Sequence, residues 1–198
     1  MGIYEMNSTI EYYNNNAEEY YGRSANADLG DAIARFAGYL PDGARIIDIG
    51  CGSGRDAAAF IDMGYDAVGL DASVEMARVA REMFGIEVIV ADMASWVTDE
   101  PYDGVWCCAS LLHLGDSEVE RFFRNLSGNV ADGGVVFISV KTGIETGIDE
   151  NGRFMRNFEE DELCGMLGDA GFEVKESWTT DDNLGRGGFC WINVIAVK

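Results

Sequence analysis

Short apolar runs alternate with stretches of helical periodicity along most of this sequence, and that alternation limits the folds open to it. Residues 45–49, 67–70, 86–90, 102–108 and 135–140 are apolar at nearly every position. A strand that is apolar on both sides must be covered on both faces, which is the condition of a parallel sheet wrapped by crossover helices. The intervening stretches 28–40, 55–63, 74–84, 117–130 and 159–170 supply that cover, and residues 7–21 read as a further helical segment. Ser73 is expected to cap the helix 74–84 and Gly85 to close it; Asp116 or Ser117 is expected to open the helix 117–130. The last two runs, 172–178 and 189–197, have a glycine-rich loop and no helix between them, so they should pair as an antiparallel hairpin. The predicted fold is α/β: a doubly wound, seven-stranded, mostly parallel sheet with helices on both faces and the C-terminal hairpin at one edge. No repeat or Pro-rich linker divides the 198 residues, so one domain is expected, residues 1–40 forming a helical cap and 41–198 the sheet.

In open sheets of this kind, ligands bind beyond the carboxyl ends of the strands. The first strand runs into Asp48-Ile49-Gly50-Cys51-Gly52-Ser53-Gly54. Alternate glycines permit a sharp turn and a close ligand approach. The spacing is G-x-G-x-G, whereas dinucleotide enzymes use G-x-G-x-x-G, and this disfavours a nicotinamide- or flavin-dependent oxidoreductase. Asp48, two positions before the first glycine, suits a cationic ammonium better than a pyrophosphate. The second strand ends at Asp71-Ala72-Ser73, where a carboxylate can accept two ribose hydroxyls. The third ends at Ala91-Asp92-Met93; the Asp can accept from an adenine amino group and the Met can cover the ring face.

Taken in order, these residues resemble the class I S-adenosylmethionine-dependent methyltransferases. The resemblance runs through Ile46 to Gly54, then Val68 to Ser73 with Met76, then Ala91-Asp92-Met93. It continues through Tyr102 to Trp106 and Ser110 to Leu114, and covers about residues 10 to 198. It implies a Rossmann-like sheet with S-adenosyl-L-methionine as cofactor and S-adenosyl-L-homocysteine as product. The implied cofactor residues are Asp48, Gly50, Cys51, Gly52, Asp71, Ala72, Met76, Asp92, Met93 and the Ala109 backbone. Tyr12-Tyr13 through Tyr21 and Arg23 resemble an N-terminal segment in which a tyrosine and an arginine close over the methionine part, here Tyr13 and Arg23. The whole chain is similar to small methyltransferases of the tellurite-resistance type, which share Asn151 to Phe154 and Trp191 to Val194.

Methyl transfer needs positioning more than a fixed catalytic residue. His113, the one histidine, stands just past the fourth strand. It is read either as a base or hydrogen-bonding group on the acceptor side, or as a neutral structural histidine. Cys107 and Cys108 are expected to fill the fourth strand, and Trp178 and Trp191 to pack in the last hairpin. Arg153, Arg156 and Arg186 are read either as a clamp for an anionic acceptor or as surface ion pairs.

Thirty-five acidic against fourteen basic residues give a net charge of −21 with no basic cluster, which disfavours a nucleic-acid acceptor. A small-molecule methyl acceptor is therefore expected. A tRNA- or protein-modifying enzyme and a cofactor-sensing domain without transferase activity are the alternatives. Five cysteines without C-x-x-C spacing, beside one histidine, build neither a disulfide framework nor a metal cluster. No apolar run is long enough for a membrane span, so a cytoplasmic protein, monomeric or weakly dimeric, is expected.

Overall fold

The computed structural model describes residues 3–25, 27–182 and 187–198. In chain order its elements are α1 (Ile3–Ser24), α2 (Gly30–Ala37), β1 (Arg45–Ile49), α3 (Arg55–Asp62), β2 (Asp66–Asp71), α4 (Val74–Phe84), β3 (Val88–Val90) and β4 (Tyr102–Cys108). A 3₁₀ turn at Leu111–His113 leads to α5 (Asp116–Asn129), β5 (Val130–Thr142), β6 (Gly147–Ile148), β7 (Phe154–Met155), α6 (Glu160–Asp169), β8 (Glu173–Asp181) and β9 (Cys190–Val197).

The main sheet has the seven predicted strands in the order β3-β2-β1-β4-β5-β9-β8. The first five are parallel, and β9 runs antiparallel to both β5 and β8. Strand order reverses between β1 and β4, so the carboxyl ends of those two strands open the crevice expected at a topological switch point.

Each face of the sheet is closed by apolar helix residues. On one side Phe36 of α2 and Phe60 of α3 pack on Ile46, Trp106 and Phe137, with Trp106 stacked on Phe137 at 3.9 Å. On the other, Val119, Phe122 and Leu126 of α5 and Leu163 and Leu167 of α6 cover Ile47, Val105 and Ile138. The small residues Ala77 and Ala80 bring α4 close to Ala57 of α3. Among the described residues no helix is long and apolar enough to cross a membrane.

Ser73 caps α4, its hydroxyl accepting from the Met76 amide at 3.1 Å, and Gly85 ends the helix with φ 69°. Several boundaries differ from expectation, among them β5, which runs from Val130 to Thr142, and three helix boundaries with a local cause. Helix α5 begins at Asp116, so neither Asp116 nor Ser117 is its cap; the chain enters at Gly115, whose amide donates to the Glu118 carboxylate at 2.8 Å. Helix α2 begins two residues late because Asp28 accepts from the Gly30 amide and holds a turn ahead of the helix. Helix α1 extends to Ser24 through a kink at Asn16 (φ −129°), whose side-chain amide donates to the Tyr12 carbonyl. The two-residue pair β6–β7 has no counterpart among the sequence expectations, being too short to carry a period.

Candidate functional site

The loop after β1 is shaped by contact with the end of β4. Gly50 has φ 72°, and a Cβ there would lie 2.2 Å from the Ser110 Cβ. Ser110 cannot yield, because its hydroxyl donates to the Ile49 carbonyl at 2.7 Å and meets the Cys107 sulfur at 3.2 Å. Beside it, Ala109 sits at φ 57°, the one non-glycine left-handed residue among those described. Backbone strain of this kind persists where surrounding contacts over-determine it, commonly at ligand sites.

These strand ends, with α1 and the β6–β7 segment, enclose a cavity of about 1160 Å³. Asp48, Gly50, Cys51, Gly52, Asp71, Ala72, Asp92, Met93, Ala109, His113, Tyr13 and Arg23 all lie on its wall. Met76 does not: it is fully buried beneath the glycine loop, packed against Ala17 and Val79. Trp191 packs against the core and Phe189 as expected and also lines the cavity, while Trp178 packs on Phe137 as expected.

The three strand-end carboxylates differ in how they are held. Asp71 accepts from the Gly52 amide at 2.9 Å and the Ser73 amide at 2.8 Å, so it ties the glycine loop to β2. Burial raises its pKa, against the pull of those amides. Asp92 accepts from the Ala94 amide and the Ser95 hydroxyl, which closes the turn after β3. Asp48 is buried, and its Oδ2 is the single buried side-chain oxygen without a hydrogen-bond partner among the described residues. Burial and then the neighbouring Asp56 push its pKa well above the usual carboxylate range.

The opposite wall carries a chain of polar contacts. The Tyr13 hydroxyl lies 2.9 Å from His113 Nε2, and His113 Nδ1 lies 2.8 Å from the Phe154 carbonyl. A carbonyl can only accept, so Nδ1 carries the hydrogen and Nε2 accepts from Tyr13. Arg153 donates to the Tyr13 oxygen at 3.3 Å and is held by Asp149, with Nη2 at 2.7 Å and Nε at 3.0 Å. Its guanidinium also lies over the Tyr12 ring. Arg23, by contrast, is exposed and donates to the Tyr12 hydroxyl.

Of the other arginines read from sequence, Arg156 is buried in ion pairs with Asp116 and Glu162, away from the cavity, and Arg186 lies outside the described residues. Burial pushes Cys107 up to about 12 and raises Cys51 and Cys108, so these thiols stay protonated and unreactive. Tyr20, Lys141 and Asp149 on the same wall were not singled out by sequence reasoning. Tyr20 sits inside the tyrosine-rich segment and was legible there; nothing local marks the other two.

Burial lowers His113 from 6.5 to about 4. Between those values the unfolded chain binds a proton that the folded chain refuses, so stability is present above the unfolded value and is lost on acidification. The expected contribution is about 3 kcal/mol. The stability advantage of wild type over His113→Asn should therefore shrink as the pH falls through this window. Denaturant midpoints measured across that range test it; a gap independent of pH contradicts it.

Residues 21–177 match the family described as methyltransferase domain. Over 113 residues the chain is 32% identical to a trans-aconitate 2-methyltransferase from Azoarcus sp., covering 56% of this chain and 43% of that protein. It thus spans less than half the length of that curated relative. Among solved structures, a Burkholderia thailandensis 1,6-didemethyltoxoflavin-N1-methyltransferase with bound substrate and S-adenosylhomocysteine superposes with TM-score 0.77. The identity is 21%, over 98% of this chain and 86% of that one. A TehB-like S-adenosylmethionine-dependent methyltransferase from Corynebacterium glutamicum gives TM-score 0.73 at 18% identity, covering 93% of this chain and 98% of that one. With the family model spanning most of its length, this chain belongs to the methyltransferase-domain family.

Proposed function

We propose that this protein transfers a methyl group from S-adenosylmethionine to a small-molecule acceptor. The observation that carries the reading is the meeting of Asp48, Asp71 and Asp92 on one cavity wall, with one Asp48 oxygen lacking a partner. A buried, unpartnered carboxylate oxygen is costly unless something charged or hydrogen-bonding reaches it. The α-ammonium of the methionine part is such a group. Asp71 keeps a second lone pair on each oxygen for the ribose hydroxyls, and Asp92 with Met93 stands at the end of β3 for the adenine.

When bound, the cofactor supplies an activated methyl and a thioether leaving group; the protein's part is to bind, orient and exclude water. Tyr13, His113 and Arg153 form the wall facing the acceptor. The low basicity of His113 suits a hydrogen-bonding role better than proton abstraction at neutral pH. In this reading His113 positions the Tyr13 hydroxyl and Arg153 steadies its oxygen, while Lys141 and Trp191 line the space left for the acceptor. That remaining space favours a transferase over a sensing domain. The acidic composition favours a small acceptor over nucleic acid, and the names of the relatives, trans-aconitate and 1,6-didemethyltoxoflavin, agree in size class.

Titration calorimetry with S-adenosylhomocysteine should give binding in the micromolar range. Incubation with methyl-labelled S-adenosylmethionine and a metabolite extract should then place label in a small molecule. Failure to bind at millimolar ligand overturns the cofactor assignment; binding without any label transfer overturns the transferase.

A further inference from the structure

Asp48 does not stand alone in the floor of the cavity. In the first turn of α3, Asp56 is also buried, and both its oxygens are engaged: Oδ1 by Arg55 Nε at 2.6 Å and Oδ2 by Trp106 Nε1 at 3.0 Å. Arg55 in turn donates to the Ser24 carbonyl at the end of α1. Arg55, the cation that acts on Asp48 among the described residues, is therefore committed to Asp56 and to α1. The titratable groups around Asp48 are Asp56 and Arg55 from α3, Asp71 from β2, Cys51 from the glycine loop, and Cys107 and Cys108 from β4. Two of these are acids and three are thiols, and all three thiols are kept protonated by burial.

Two buried carboxylates with a single counter-charge cannot both ionise cheaply. Asp56 has both its oxygens engaged by donors, Arg55 and the indole N–H. Asp48, a residue of the cavity lining with one buried oxygen that has no donor, is the one that keeps a proton; burial and the Asp56 charge both act in that direction. A ligand ammonium arriving in the cavity reverses this balance, because it supplies the missing opposite charge beside Asp48.

We propose that Asp48 is protonated in the ligand-free protein and releases that proton when the ammonium of the methyl donor or its product binds, so that binding expels a proton and strengthens as the pH rises. The proposal rests on the cofactor assignment above and deepens it. The step is an ionisation only: the Asp48 O–H bond breaks, the proton leaves to solvent, and the carboxylate keeps the electron pair. The sign follows from linkage. Below the pH at which Asp48 ionises in the ligand-free protein, each unit of acidification should weaken binding about tenfold; above it the dependence should vanish until the ligand's own amine titrates.

The test is calorimetry with S-adenosylhomocysteine at one neutral pH in phosphate, Hepes and Tris, whose ionisation enthalpies differ. The slope of observed enthalpy against buffer enthalpy counts the protons exchanged. Release of about one proton is expected for wild type. Asp48→Asn should bind more weakly with a slope near zero, and infrared difference spectra should lose the protonated-carboxyl band on ligand addition only in wild type. Asp56→Asn removes the neighbouring charge while an amide oxygen can still accept from Trp106, so it should bind while releasing clearly less than a proton. Tight binding by wild type with zero slope overturns the proposal and leaves the cofactor assignment standing, whereas absence of binding overturns both. An unchanged slope in Asp48→Asn overturns the assignment of the proton to Asp48.

Discussion

Gly50→Ala should lose about 3–5 kcal/mol of folding stability, a drop of roughly 10 °C or more in melting temperature for a chain of this size. Two costs combine. A left-handed backbone at φ 72° disfavours any side chain by roughly 1–2 kcal/mol. The added methyl would also stand 2.2 Å from the Ser110 Cβ and 3.2 Å from the Met93 methyl. Met93 can move, but Ser110 is bonded to the Ile49 carbonyl of β1 and to Cys107 of β4. Relief must therefore come from parting β1 from β4, the seam along which the cavity opens. Gly43→Ala provides the control: it shares the positive φ at 71° but meets nothing within 4 Å, so it should cost only the backbone share. Equal losses in the two variants would mean that contact with Ser110 is not what constrains the loop.

Asp71→Ala should weaken S-adenosylhomocysteine binding by about 1.5–3 kcal/mol, some ten- to a hundredfold. The carboxylate has two jobs, and the substitution ends both. It removes the acceptors proposed for the ribose hydroxyls, and it unties Gly52 from β2 by deleting the 2.9 Å bond to the Gly52 amide. Asp71→Asn separates the two. Its remaining oxygen can hold one amide but not both, and it offers the ligand a neutral partner, so an intermediate loss is expected. Calorimetry on the two variants decides the matter; wild-type affinity in Asp71→Ala would remove that residue from the cofactor site.

Much of the sheet was legible because its signals are local. The bounds of β1, α4 and β4 follow from uninterrupted apolar runs and from the Ser73 and Gly85 caps, each read within a few residues. The strand-end carboxylates were legible for the same reason, since a glycine loop and an Asp at the end of an apolar run need no distant partner to be recognised. The contacts that join the residues of the proposed acceptor wall were not. Tyr13 reaches His113 and Arg153 across most of the chain, and nothing near Tyr13 in sequence says that its hydroxyl turns that way. Arg153 stands just ahead of a two-residue strand, where no periodicity can form, and its pairing with Asp149 depends on a local turn. Arg156 takes the other of the two readings open from the sequence, an ion pair, here with Asp116 of α5 and Glu162 of α6. Met76 was carried by motif position alone, and helix rotation turns it under the loop.

The placement of β9 bears on how the molecule is made. This strand lies between β5 and β8, although it follows both in the chain. During synthesis from the N-terminus, the five parallel strands can assemble while one side of β5 still presents unpaired backbone groups to its surroundings. That side stays open until β9 emerges from the ribosome and pairs with it along Val135 to Thr142. An incomplete chain is thus an adhesive one, and truncation just ahead of β9 should yield aggregates from a polypeptide that already carries every residue of the proposed cofactor wall.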